Sequence, residues 1–314
     1  LSISTFHSRL FAFTMSSKLP ESSARAEGTG RGLLSRSFAK PKPLARNVKL
    51  TDQVAIITGS NVGLGLEAAR QLLQLGLTHL VMGVRSQAKG DVAADTLRKS
   101  FPRATISVWL VDMEAYDSVR AFADKIATLP RIDMVILNAA VIKQSFSTVP
   151  ATGHETSLQT NYLSTALLAI LLIPILKAKK KESAPPVLTL VGSDTAYTAA
   201  VETKGGIFQQ FDKPKGYVQM DWYGREKLLL ALFTAKLAEF VSPNDVLVNM
   251  VNPGMTRGTG LARDFPGVVQ FILGILQRLL GRRPEVSATT YLDAVITQGA
   301  ESHGSFISEW MIKP

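Results

Sequence analysis

Residues Val54–Gly65 read VAIITGSNVGLG, a five-residue apolar run followed by glycines at 59, 63 and 65. The run is short, continuous and rich in β-branched residues, as expected of a strand buried on both faces. Leu66–Leu75, which follows, carries apolar side chains at helical spacing. A strand that turns through glycines directly into a helix leaves the first helical N–H groups unpaired, and an anion can bind there. The glycines permit the tight turn and a close approach of backbone to a pyrophosphate. Gly59, Ser60, Asn61, Gly63 and Leu64 are therefore candidate dinucleotide-binding residues, against the plainer reading of a glycine-rich connecting loop.

Outward from this stretch the pattern repeats. Leu80–Val84, Ile106–Val111, Ile132–Leu137, Val187–Val191 and Val246–Val251 read as further strands, and Ser305–Ile307 as a short last one. Helical patterns lie between and after them, at Gln87–Ser100, Tyr116–Leu129, His154–Lys177, Trp222–Phe240, Pro266–Leu280 and Glu285–Gln298. Strands alternating with helices predict an α/β fold: a doubly wound parallel sheet of about seven strands with helices on both faces, in a single domain over residues 48–314. Leu163–Leu176 is uncharged for fourteen residues, short of the ~20 that span a bilayer, and reads as a buried central helix. Val268–Leu280 reads as a surface helix, with peripheral membrane contact as the alternative.

The chain has 314 residues, a net charge of +10 and no cysteine. Cysteine-free, it excludes disulfides, thiolate catalysis and cysteine-ligated metal. His7, His79, His154 and His303 are far apart in sequence, and no metal site is expected. Of the excess charge, +7 lies in residues 1–50 and the body is nearly balanced, which argues against nucleic acid as a partner. Residues 1–47 lack periodicity and read as a disordered or loosely docked basic extension. Met15 is the first methionine, so residues 1–14 are open to being non-native. The extension is poor in acids and has no clean secretory pattern; a cytoplasmic location is expected, with organelle targeting as the alternative.

Two further features bear on chemistry. The acid that takes the ribose 2′-OH of NAD is expected at the end of the second strand. That place reads Val84-Arg85-Ser86, without an acid, and Arg85 is suited to a 2′-phosphate, so NADP(H) is the expected cofactor. Tyr223 is the only tyrosine with a lysine four residues on, Lys227. On a helix the two share a face, and the cation is expected to lower the phenol's pKa so that it can exchange a proton with an alcohol oxygen. An exposed helix pair is the alternative.

The constellation resembles the short-chain dehydrogenase/reductase superfamily over about Leu50–Lys313, a single Rossmann-fold domain. The glycine loop is similar to the family's TGxxxGxG. Asp112, with Met113 beside it, matches the acid at the adenine end, and Asn138-Ala139-Ala140 resembles the NAG motif. Asn161, Ser193, Tyr223 and Lys227 match the catalytic tetrad, and Pro253-Gly254-Met255-Thr256 the segment covering the nicotinamide. The resemblance implies that Tyr223 is the general acid, that Lys227 lowers its pKa and holds the nicotinamide ribose, and that Ser193 binds the substrate oxygen. It also implies that Asn161 holds a water in a relay toward Lys227, and that the chain forms a homodimer or homotetramer.

Departures exist. Ala140 replaces a glycine, Gly224 and Glu226 stand where small residues are frequent, and thirty residues separate Ser193 from Tyr223. Thr198–Met220 thus reads as an insertion that shapes a substrate pocket, or as a surface loop. That insertion, Arg85 and Lys89-Gly90-Asp91 resemble the retinol-dehydrogenase-like branch and fungal reductases of secondary metabolism. The implied activity is NADP(H)-dependent hydride transfer to or from a lipophilic ketone, aldehyde or alcohol. The competing readings are a non-catalytic NADP-binding regulator and an epimerase or dehydratase of the extended branch.

Overall fold

The computed structural model describes residues 14–45, 47–182, 184–202, 204–258, 274–275 and 277–314. The proposed surface helix over 268–280 falls largely on residues outside that set. Eight strands form one sheet: β1 Val54–Thr58, β2 His79–Val84, β3 Thr105–Leu110, β4 Met134–Leu137, β5 Val187–Val191, β6 Leu247–Asn252, β7 Phe306–Ser308 and β8 Met311–Lys313. Their order is β3-β2-β1-β4-β5-β6-β7-β8, and all neighbours are parallel except β7 and β8. The expected count of about seven omitted β8, which returns antiparallel as a hairpin.

Every residue of β1 is buried, because both faces are covered. Ala55 and Ile57 face one layer with Leu72 and Leu73 of α3 (Gly63–Gln74) and Tyr291 of α9 (Pro284–Leu292). Val54 and Ile56 face the other, with Phe122 of α5 (Tyr116–Ala127) and with Leu168, Leu172 and Leu176 of α7 (Ser164–Ala178). α4 (Gln87–Ser100) follows β2, capped by the Ser86 side chain. The chain reverses direction along the sheet between β1 and β4, so a crevice opens beyond their carboxyl ends, where ligands of open α/β sheets bind.

The expected long helix over 154–177 is not uniform. It starts as α6 (Thr156–Leu158), widens into a π turn at Gln159–Leu163 and continues as α7. Thr156–Ala178 is long and apolar enough by length and composition to cross a membrane. Its burial of Leu168, Ala169, Leu172 and Leu176 against β-strand and α5 side chains is that of a core helix.

The N-terminal segment also differs from expectation. Residues 21–37 form two helices, α1 (Glu21–Glu27) and α2 (Gly30–Ser37), the second capped by Thr29, whose hydroxyl accepts from Gly32 N at 3.1 Å. They are docked through Arg36, which is buried, lies 2.6 Å from Glu27 and 3.0 Å from Asp194, and caps the Tyr197 ring. Lys313 of β8 closes on Glu27 at 2.6 Å. The segment looked featureless because its helices are short and are held by long-range ion pairs rather than by an apolar stripe.

Candidate active site

The glycine loop stands at the carboxyl end of β1. Gly59 and Gly63 have φ of +67° and +59°, a region side chains disfavour. A Cβ on Gly65 would lie 2.6 Å from both Asn138 Nδ2 and Gly59 O, so the helix can enter this close only as glycine. Asn138, after β4, ties the two strands: its Nδ2 donates to Thr58 O at 2.9 Å and Gly59 O at 3.2 Å, and its Oδ1 accepts from Tyr291 at 2.9 Å. Thr58 Oγ1 accepts from the backbone N–H of Asn138 and Ala139. Ser60 is buried and donates to Ile57 O, which fixes the turn. Asn61 is half-buried within the loop and Leu64 packs on the core beneath it. α3 begins without a side-chain cap, and Gly63 faces open space. These uncapped N–H groups and the glycine-floored cradle fit a pyrophosphate.

Arg85 follows β2 as expected, but it is paired with Glu114 at 2.9 Å, both side chains being partly exposed. An exposed pair of this kind contributes little to stability. Asp112 Oδ1 accepts from Glu114 N and shapes this wall, while Met113 is buried and its carbonyl accepts from Ser164. On the far side, Gly254 (φ +73°) donates to Asn252 Oδ1, and Thr256 Oγ1 bonds Gly254 O and Ser287 Oγ. Arg282, buried against the Trp310 ring, reaches Pro253 O and Arg36 O.

Ser193 sits just beyond β5, and Tyr223 and Lys227 lie one turn apart on α8 (Gln219–Ala238), both buried. Ser193 Oγ accepts from Thr195 N at 3.3 Å and Thr195 Oγ1 at 3.0 Å, leaving its own proton to donate. Its hydroxyl acts on the Tyr223 phenol in the direction that favours the phenolate. Lys227 Nζ donates to Val191 O at 2.8 Å and lies 5.5 Å from the centre of the Tyr223 ring. Burial pushes Lys227 down to about 8.

The expected lowering of the Tyr223 pKa is reversed. Burial, then the Glu226 carboxyl, push the phenol well above its ordinary value, against the opposing Ser193 hydrogen bond. The Lys227 ammonium, held on Val191 O, lies 5.5 Å from the centre of the ring. Tyr223 is thus a neutral, proton-bearing phenol. Asn161 occupies the π turn, a geometry that aims single side chains at functional sites. Its amide is fixed by Val141, donating to the carbonyl at 2.7 Å and accepting from the N–H at 2.8 Å. Its second amide proton goes to Glu226 Oε2 at 2.6 Å rather than toward Lys227.

Sequence reasoning noted Glu226 only as a departure and passed over Glu155, Ser157, Tyr291, Arg282 and Arg36. Their roles arise from contacts distant in sequence; the one local signal was a charged residue in the interior of the Tyr223–Lys227 turn. Among the described residues, no group of three or more His, Cys, Asp or Glu side chains could hold a metal ion.

The insertion is anchored rather than loose. Phe211 is buried edge-on against Trp222, Tyr217 packs between Trp222 and Phe146, and Asp212 pairs with His154. Ile207, Phe208 and Met220 remain exposed, and Met220 lies one turn before Tyr223.

Comparison with known proteins identifies the family. Residues 53–188 match the model of the short chain dehydrogenase family. The chain is 58% identical over 302 residues to the short chain dehydrogenase virL of Hypocrea virens, covering 96% of this chain and 88% of that one. It is 48% identical over 279 residues to the short chain dehydrogenase/reductase mfmJ of Annulohypoxylon moriforme, covering 88% and 81%. In fold it is similar to a short chain dehydrogenase of Shigella flexneri solved with NADP, with a TM-score of 0.63 at 20% identity over 85% of this chain and all of that one. An NADPH-bound short chain oxidoreductase of Pseudomonas aeruginosa, described as having an atypical catalytic centre, gives 0.61 at 20% identity over 82% and 95%. The chain belongs to the short-chain dehydrogenase/reductase family of oxidoreductases.

Proposed function

We propose that the protein is an NADP(H)-dependent reductase of ketones or aldehydes on lipophilic small molecules, in the manner of fungal secondary metabolism. The observation that carries this reading is the buried Tyr223 phenol beside Ser193 at the end of β5, with Lys227 one turn from the phenol on the same helix. A protonated phenol suits donation to a carbonyl oxygen. The glycine cradle, Asn138 and Ala139 would hold the dinucleotide, Asp112 its adenine end, Arg85 the 2′-phosphate, and Pro253, Gly254 and Thr256 the nicotinamide side. When bound, that group supplies the hydride.

The chain's own residues do the rest. Ser193 donates to the substrate oxygen as negative charge develops there, a dipole already oriented by Thr195. Tyr223 transfers its proton to the same oxygen. Lys227 holds the cofactor ribose and returns a proton to the phenol. Met220 and Phe208, exposed on the 198–220 segment, would supply an apolar wall that selects lipophilic substrates. The exposed apolar residues Ile170 on α7, Leu232 on α8 and Phe240 beyond it suit self-association in a cytoplasmic oligomer.

Fluorescence titration with NADPH and NADH tests the reading on wild type, Arg85→Glu and Tyr223→Phe. NADPH preference lost in Arg85→Glu is expected. Tyr223→Phe should bind NADPH normally while ketone reduction falls at least about a hundredfold. Preference for NADH would overturn the cofactor assignment, and unchanged turnover in Tyr223→Phe would overturn the acid assignment.

A further inference from the structure

Behind Tyr223 and Lys227 lies a wholly buried pair of acids, Glu226 and Glu155, bridged by one serine. Ser157 Oγ is 2.8 Å from Glu226 Oε1 and 2.6 Å from Glu155 Oε2. Glu226 Oε2 accepts from Asn161, and Glu155 Oε2 also accepts from Leu158 N at 2.7 Å.

A count of hydrogens assigns the donors. A serine hydroxyl has one proton and can donate to one carboxyl only. The second short contact requires a carboxyl that donates, so one of the two acids carries a proton. Glu155 Oε2 receives a backbone N–H in addition to the serine and so accepts from both, while its Oε1 is buried without a partner. Glu226 Oε2 is taken by the Asn161 amide, which leaves Oε1 to carry the proton and donate it to Ser157. The charged and titratable groups acting on Glu226 are Glu155, Lys227, and the phenols of Tyr217 and Tyr223. Burial and the Glu155 charge push Glu226 up to about 8, in agreement with the hydrogen count.

We propose that Glu226 is a positioning residue for catalysis: held as a neutral carboxylic acid by Ser157 and Asn161, it keeps a second negative charge away from Tyr223 and Lys227, and its ionisation slows proton donation by Tyr223. The proposal rests on the reading of Tyr223 as general acid. Its physics is direct: an ionised Glu226 disfavours the tyrosinate that forms when the proton leaves, and inside a protein such a charge acts through several ångströms. Reduction should therefore slow about tenfold as Glu226 ionises on the alkaline side of neutrality.

Glu226→Gln is the discriminating variant. Its amide can donate to Ser157 and accept from Asn161, so the packing persists while the titration is removed. Infrared spectra of the cofactor-free protein across pH should show a protonated, buried carboxyl at neutral pH that Glu226→Gln lacks. Glu226→Asp should shift that band rather than delete it, and it serves where the glutamine variant folds poorly. With NADPH and a panel of aryl ketones, the alkaline fall in kcat of wild type should be shallower in Glu226→Gln, which keeps only the part due to Lys227. A purely structural role would leave the profile's shape unchanged, and that result overturns the proposal. So does an ionised Glu226 at neutral pH. Failure of wild type to reduce any ketone would count instead against the reductase reading, because the infrared titration needs no turnover.

Discussion

Replacing Arg36 with alanine tests whether the N-terminal helices are part of the folded domain. Arg36 is 7% exposed and its partners Glu27 and Asp194 are each 16% exposed. Removing one partner of a fully buried pair costs about 3–5 kcal/mol. Here both carboxylates retain some water and Glu27 keeps Lys313, so the ionic loss is about 2 kcal/mol. Loss of the guanidinium from the Tyr197 ring at 5.5 Å adds up to ~1 kcal/mol. A total near 3 kcal/mol corresponds to a fall in Tm of about 5 °C for a chain of this length. The assay is thermal unfolding by circular dichroism, with limited proteolysis of residues 20–37 in parallel. Asp194→Asn should lose less, and the double variant should recover about 1 kcal/mol or more relative to additivity. A Tm within 2 °C of wild type, together with unchanged protease resistance, would refute the docking argument.

Gly65→Ala places a Cβ 2.6 Å from Asn138 Nδ2 and from Gly59 O; about 1–3 kcal/mol of stability and at least about tenfold in NADPH affinity should be lost, read by denaturant unfolding and fluorescence. Glu226→Gln should also change stability with pH. The folded pKa of Glu226, about 8, lies above its unfolded value near 4.3, so the native state holds the extra proton between them and stability falls as pH rises through that window. Wild type should lose urea resistance relative to Glu226→Gln between about pH 5 and pH 8, and a difference independent of pH would contradict the hydrogen count. Leu232→Glu, which charges an exposed apolar position of α8, should lower the mass measured by light scattering.

Legibility followed the distance between partners in the sequence. The glycine loop and the Tyr223–Lys227 pair are defined by spacings of a few residues, which strand and helix periods turn directly into geometry. Asn138 and Ser193 were legible because each ends a strand whose apolar run is plain. Arg36 and Asp194 are 158 residues apart, and Ser157 and Glu226 are 69 apart; no periodicity links them. β8 was missed for another reason. The hairpin before it turns through Glu309 and Trp310 at φ of 50° and 58°, where Asn-Gly would have been the signal. The strain is offset by Trp310, which is fully buried, stacks under Arg282 and donates to Thr289.

These long-range contacts share one purpose in the architecture. Asp194 follows Ser193 directly, and Arg36 fixes it. Arg282 grips the Arg36 carbonyl on one side and Pro253 on the other. Lys313 ties α1 to the last strand. The extension therefore touches the wall that carries Ser193 and the wall expected to cover the nicotinamide, and it stiffens both without contributing a reacting group. Loosening it should act on Ser193 through Asp194 before it acts on the sheet, because the β5–β6 ladder beneath is buried except at Val187 while the 194–198 turn is not. In Arg36→Ala, kcat for ketone reduction should accordingly fall at temperatures where the strands remain folded.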